Sequence, residues 1–159
     1  MVNILPEILH CNEVSEDLAA VLIHPCDWWK LAAKIVFPKT AFEKPVPCIL
    51  EYLPYRRREG TRARDELSIF WFSSNGYAYA HVDISGTDDS EGIVEDEYVL
   101  REQEEGLEVI DWLSKWRWCS GALGMIGISW GVFNGLQIAA RRPKVLKGSH
   151  KSLFYSGSF

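Results

Sequence analysis

No run of apolar residues in this 159-residue chain approaches the length of about 20 that a membrane-spanning helix needs. The first ten residues have neither the basic start nor the apolar stretch of a secretory signal. A basic excess is missing as well. The formal net charge is -5, which disfavours nucleic acid and anionic membrane surfaces as partners. Cysteine is sparse and unpatterned: Cys11, Cys26, Cys48 and Cys119 form no Cys-x-x-Cys pair and have no histidine at zinc-ligand spacing. The four read as reduced thiols of a cytoplasmic protein, and neither a metal nor a cofactor is expected. Internal repeats and low-complexity segments are absent too.

The residues that are there describe one ordinary globular domain. Apolar residues make up 47% and charged residues 25%, which suits a packed core and a solvated surface. Seven tryptophans point to a core or a hydrophobic pocket rich in aromatic mass. The chain is organised around Gly124-Met125-Ile126-Gly127-Ile128-Ser129-Trp130-Gly131, a short apolar run ending in Gly-x-Ser-x-Gly with a helical pattern behind it. In that context the motif is a nucleophile elbow: the turn is so sharp that side chains two before and two after the serine would collide. Both positions therefore call for glycine.

The rest of the chain alternates strand and helix patterns. Residues 1–18 form a poorly defined leader, 19–147 the domain, and 148–159 an atypical tail. Ala19 to Ile23 and Leu31 to Phe37 are candidate strands around Pro25-Cys26-Asp27-Trp28-Trp29, and Cys48 to Leu53 is a strand that stops at Pro54. A basic loop from Tyr55 to Asp65 leads to a helix whose apolar spacing is Leu67, Phe70 and Trp71, closed by Asn75-Gly76. Tyr77 to Ile84 is almost continuously apolar, as in a strand buried on both faces. Val109, Trp112, Leu113 and Trp116 mark one face of a helix from about Tyr98 to Trp116. Behind the elbow, Val132, Phe133, Leu136, Ala139 and Ala140 line a helical face that ends at Arg141-Arg142-Pro143. The regular pattern fails after Lys147, where one further strand could be made from Leu153-Phe154-Tyr155. This alternation predicts an α/β fold with a mostly parallel sheet and flanking helices, truncated after the nucleophile helix. Tyr55, the Gly86 loop and Ser129 all follow strand ends, so they should share the carboxyl rim where such sheets place their chemistry.

Three motifs, in order, carry a family resemblance. Ile49-Leu50-Glu51-Tyr52-Leu53-Pro54-Tyr55 runs on into Arg56-Arg57-Arg58-Glu59-Gly60-Thr61-Arg62. Val82-Asp83-Ile84 precedes Asp89-Ser90-Glu91-Gly92, and Gly127-Ile128-Ser129-Trp130-Gly131 precedes Phe133-Asn134-Gly135. Over residues 19 to 147 the chain resembles the X-prolyl dipeptidyl peptidase and cocaine-esterase-like (CocE/NonD) serine hydrolases of the α/β-hydrolase fold. The resemblance implies Ser129 as nucleophile. It also implies an oxyanion hole made by the Tyr55 hydroxyl and the Trp130 backbone N–H, and a small ester or short X-prolyl peptide as substrate. In that family the acid and histidine of the triad come later in the chain. Four positions depart from the pattern: Ser85 stands for an arginine, and Asp88, Val132 and Trp28 stand for glycines.

A serine hydroxyl is a weak nucleophile until a histidine takes its proton and a carboxylate orients that histidine. Of His10, His24, His81 and His150, only His150 follows the nucleophile, and no acid lies between the two. His81, inside the buried strand, reads as a hydrogen-bonded core residue. The acidic stretch Asp88 to Asp111, with Glu102, Glu104, Glu105 and Glu108, reads as a solvated face rather than a metal site. Arg56 to Arg58, Arg62 and Arg64 read as solvated or paired with that acidic helix, against a role in binding a substrate carboxylate. Trp112 and Trp116 read as core, and Trp130 as core and pocket wall. The sequence thus predicts a serine hydrolase acting through an acyl-enzyme on Ser129, in an incomplete domain that lacks the triad aspartate and histidine. The alternative is a catalytically inert chain that self-associates through an exposed sheet edge.

Overall fold

The computed structural model describes residues 15–23, 30–56 and 62–151. Six strands form one sheet: β1 (Ser15–Ile23), β2 (Leu31–Pro38), β3 (Val46–Leu53), β4 (Ala78–Asp83), β5 (Cys119–Gly127) and β6 (Leu146–Lys151). Their spatial order is β1-β2-β4-β3-β5-β6. β1, β2 and β4 pair antiparallel, and β4, β3, β5 and β6 run parallel. Three helices connect the parallel strands: α1 (Arg62–Ser74), α2 (Leu100–Ser114) and α3 (Trp130–Ala140). The turn expected at Asp27-Trp28 lies outside the described residues, as does the strand suggested at Leu153 to Tyr155.

The side-chain period of two sorts the sheet into two cores. Cys48, Leu50 and Tyr52 of β3, with Ala78, Ala80 and Val82 of β4, join Val109, Ile110 and Leu113 of α2 and Ile138 of α3. Tyr79 of β4 and Val36 of β2 meet Ile69 of α1 on the other face, with Ile49 and Phe72 packed against them. All six residues of β4 are buried, the signature expected of a strand covered on both sides. From β3 the chain moves to β4 through α1. From β5 it moves the opposite way to β6 through α3. The carboxyl ends of β3 and β5 therefore flank the switch point of the sheet, where open α/β sheets hold their ligands.

The structure corrects several face assignments. Leu67 and Trp71 of α1 are exposed, while Asp65, Ile69 and Ser73 face inward. Phe133 and Leu136 of α3 are exposed, and Gly131, Asn134, Gly135 and Ile138 form the buried stripe. Trp116 lies beyond the end of α2 and is 39% exposed, whereas Trp118 is fully buried against Phe37 with ring centroids 5.3 Å apart. The acidic face of α2 is also only partly solvated: Glu104 is exposed, but Glu102 and Glu105 are each 3% exposed. In each helix the buried stripe contains small or polar residues that an apolar count passes over. Finally, the regular structure does not stop after α3 or at Lys147. β6 runs through the expected boundary, with Gly124 opposite Gly148 and Ile126 opposite His150. It is an outer strand, which needs no continuous apolar pattern, so its polar sequence hid it.

Candidate active site

β5 ends at Gly127, α3 starts at Trp130, and the two-residue connection holds Ser129 at φ 46° and ψ -113°. A positive φ is uncommon for a residue with a side chain and is held only where the surroundings enforce it. Here the enforcement is visible. The Gly131 N–H donates to the Ile128 carbonyl at 2.9 Å, and the Val132 N–H donates to the Ser129 carbonyl at 3.0 Å. A Cβ on Gly127 would stand 2.6 Å from the carbonyl carbon of Gly131 and 2.7 Å from its oxygen, so that position admits only glycine. A Cβ on Gly131 would meet Leu53 side-chain atoms at 3.3 Å, a tight but adjustable contact. The expected steric demand is therefore absolute before the serine and mild after it. Ser129 itself is exposed on the carboxyl rim.

Tyr55 reaches the same rim from the end of β3, two residues past Leu53. Its hydroxyl accepts a hydrogen bond from the Trp130 backbone N–H at 3.1 Å, bridging 75 positions of sequence. The three residues singled out by the resemblance are thus brought together: Ser129 and Trp130 are neighbours at the turn, and Tyr55 touches the amide between Ser129 and α3. A hydroxyl that accepts from the amide keeps its own proton free to donate.

Around this turn stands an aromatic group that sequence reading did not assemble. The Tyr98 ring packs on Trp130 at 5.2 Å and on Phe133 at 5.1 Å between centroids. Tyr98 holds φ 61°, an outlier for a bulky residue. Behind it, the Glu102 carboxylate accepts a hydrogen bond from the Trp130 indole at 3.0 Å. Burial raises the pKa of Glu102, while the Trp130 indole, the Asn134 side chain and the Tyr98 backbone oppose that rise. Glu105, one turn on, is also raised by burial; Tyr52 Oη donates to it across 3.4 Å. The available sequence signal was that Glu102, Glu105 and Val109 share one helical stripe.

His81, the histidine whose side chain is described, stands apart from this group. His81 lies on the α1 face of β4, where its Nδ1 is 3.0 Å from Asp65 and 3.8 Å from Glu51. That matches a hydrogen-bonded core residue. His150 lies in β6 opposite Ile126, and His10 and His24 fall outside the described residues. Arg64 does not pair with the acidic helix: its guanidinium meets Glu51 at 2.7 Å and Asp65 at 2.5 Å. Arg62 pairs with Glu66, one helical turn away. Among the described residues, Glu51, Asp65 and His81 are the one set of three whose ligand atoms lie within 4.8 Å of each other. Arg64 already supplies positive charge to both carboxylates, and Tyr79 Oη donates to Glu51 at 2.6 Å. The set is held by protein groups, and a metal ion would have to displace a guanidinium. Cys48 and Cys119 are free, buried thiols, and burial pushes both above the usual thiol range. No helix among the described residues is long and apolar enough to cross a membrane.

Known proteins resemble this chain in sequence and in fold. A candidate serine esterase of Mycobacterium bovis is 32% identical over 75 residues, covering 46% of this chain and 12% of that protein. A hydrolase of the CocE/NonD family from Staphylococcus aureus superposes with a TM-score of 0.69 at 22% identity, over 85% of this chain and 26% of the other. The esterase Est1E of Butyrivibrio proteoclasticus, solved with ferulic acid bound, gives a TM-score of 0.65 at 25% identity, over 78% and 49%. The chain thus spans about an eighth of the length of the curated relatives it matches, 12% in each case. The sequence profile described as X-Pro dipeptidyl-peptidase (S15 family) matches residues 27–149, which include Tyr55, the elbow, four whole strands and the start of β6. The fold, the order of its motifs and that match agree: the chain belongs to the X-Pro dipeptidyl-peptidase (S15) family of serine hydrolases.

Proposed function

We propose that this chain carries the nucleophile and the oxyanion hole of a serine esterase or X-prolyl peptidase. Ser129 Oγ attacks the carbonyl carbon of an ester or X-prolyl amide and loses its proton to a base. The carbonyl oxygen becomes an oxyanion that accepts from the Tyr55 hydroxyl and the Trp130 N–H. Collapse of this intermediate expels the alcohol or amine, which takes up the proton, and water then releases the acid from the acyl-enzyme. The observation that carries the reading is the 3.1 Å contact between Tyr55 Oη and the Trp130 N–H beside the strained serine. Two donors from distant strands meet where an oxyanion would form, and an entering oxygen replaces their mutual bond. His81 is engaged with Asp65 on the α1 face. The base and its acid are therefore assigned to groups outside the described side chains.

The test is labelling with a fluorophosphonate, with and without added imidazole as a diffusible base. Slow labelling confined to Ser129, accelerated by imidazole and lost in Ser129→Ala, is the expected result. Labelling that survives Ser129→Ala overturns the assignment. Rapid labelling without imidazole places a working base within this chain. A folded chain that never reacts favours the second reading, an inert product. That reading draws on the outer edge of β6 and the exposed Phe133 and Leu136, which suit self-association and would show as concentration-dependent sedimentation.

A further inference from the structure

The steps above leave Glu102 without a task, yet its position is costly. It is 3% exposed on the inward stripe of α2, where an apolar side chain would avoid the penalty of burying a carboxylate. Its hydrogen bond leads to the residue directly behind the nucleophile. The Trp130 indole N–H donates to Glu102 Oε2 at 3.0 Å. Tyr98 in turn holds its ring on Trp130 while its own backbone sits at φ 61°. Trp130 is the first residue of α3, and the first turn of a helix has N–H groups with no intrahelical partner and frays most readily. A tryptophan has only two side-chain torsions, so fastening its indole at the far end leaves its backbone little freedom.

We propose that Glu102 is a positioning residue that pins the Trp130 indole, on which the Tyr98 ring packs, and so fixes the Trp130 N–H and the aromatic wall beside Ser129. The proposal rests on the assignment of that N–H to the oxyanion hole. Glu102 touches no reacting atom; it acts through Trp130. The carboxylate is suited to the task because a charge-assisted bond to an indole is about twice as strong as a neutral one.

The test is nuclear magnetic resonance on the 159-residue chain, reading the Trp130 indole signal and the hydrogen exchange of the Trp130 backbone amide. In Glu102→Leu the indole signal moves to the position of an unbonded indole. The Trp130 amide then exchanges about tenfold faster relative to the Leu50 amide in the core, as the loss of one charge-assisted bond implies. Glu102→Gln, whose amide oxygen still accepts, restores both. Trp130→Phe removes the donor instead and gives the same faster exchange at position 130, which decides the matter if Glu102→Leu does not fold. Unchanged exchange in Glu102→Leu, or a Glu102→Gln as damaged as the leucine variant, overturns the proposal. Ser129 phosphonylation is followed in parallel and falls in Glu102→Leu but not in Glu102→Gln. If the parent chain never labels, the nucleophile assignment fails, while the exchange data still decide whether Glu102 pins the turn.

Discussion

Two of the positive φ values at side-chain-bearing residues, at Ser129 and Asp88, have separate consequences. At Ser129 the strain is enforced by the turn and lifts the hydroxyl to the rim. In the proposed oxyanion hole the Tyr55 hydroxyl is the second donor, beside the Trp130 N–H. Tyr55→Phe should therefore slow Ser129 phosphonylation in the presence of imidazole by about 10²-fold to 10³-fold, the usual loss for one oxyanion donor. Equal rates would remove Tyr55 from the site. Asp88 is different. It holds φ 48° where the family resemblance leads one to expect glycine, and its Oδ2 is buried without a hydrogen-bond partner. Glycine relieves the left-handed strain and removes the unsatisfied oxygen, at the cost of a floppier unfolded chain. Asp88→Gly should raise unfolding stability by about 1 kcal/mol, read as a higher urea midpoint at unchanged slope.

At the scale of elements, the strand–turn–helix unit of β5 and α3 depends on close approach. Gly127→Ala forces a Cβ to within 2.6 Å of the Gly131 backbone, which cannot retreat without opening the turn. It should cost about 3 kcal/mol of stability and abolish labelling of Ser129. Gly131→Ala meets only Leu53 side-chain atoms at 3.3 Å and should cost no more than about 1 kcal/mol. Thermal unfolding of the two variants separates the steric roles of the two glycines. The same closeness explains why apolar spacing misplaced the buried face of α3. A helix seated this near the sheet buries Gly131, Asn134 and Gly135, and its larger residues Phe133 and Leu136 point away. α1 was misread for another reason: it answers a polar patch. Lys34, His81 and Glu51 stand side by side across β2, β4 and β3, so the helix meets them with Asp65 and Arg64 and turns Leu67 and Trp71 outward.

Across the whole molecule, buried carboxylates lie on both faces of the sheet. Glu51 sits under α1, and Glu102 and Glu105 sit under α2 beside the site. Burial raises all three above the ordinary glutamate range. The sign follows directly. The folded chain holds these protons more tightly than the unfolded chain, so the stability they contribute is complete below the unfolded value of about 4.3 and is lost as pH rises through the raised values. Their contribution to the urea midpoint should therefore fall as pH rises above the unfolded value of about 4.3. Glu105→Gln should flatten that dependence by up to about one proton per molecule. A slope unchanged by Glu105→Gln would show that this carboxyl titrates alike in both states.

The amino-acid sequence by itself determined the parallel α/β architecture, the elbow at Ser129 and the motifs that mark the family. Each of these is local: a run of apolar residues, a Gly-x-Ser-x-Gly turn, a proline that stops a strand. Tertiary structure alone decided which polar residues turn inward. Glu102, Glu105, Asp65 and His81 have the composition of a surface and are buried where partners distant in sequence meet them: Trp130 at Glu102, Tyr52 at Glu105, and His81 at Asp65. It also decided that Tyr55 and Trp130, 75 positions apart, share a hydrogen bond. That contact depends on the pairing of β3 with β5, which no local pattern encodes. Strand order is set by how two cores of different depth close over one sheet, so the switch point that holds the site exists only once the chain has folded.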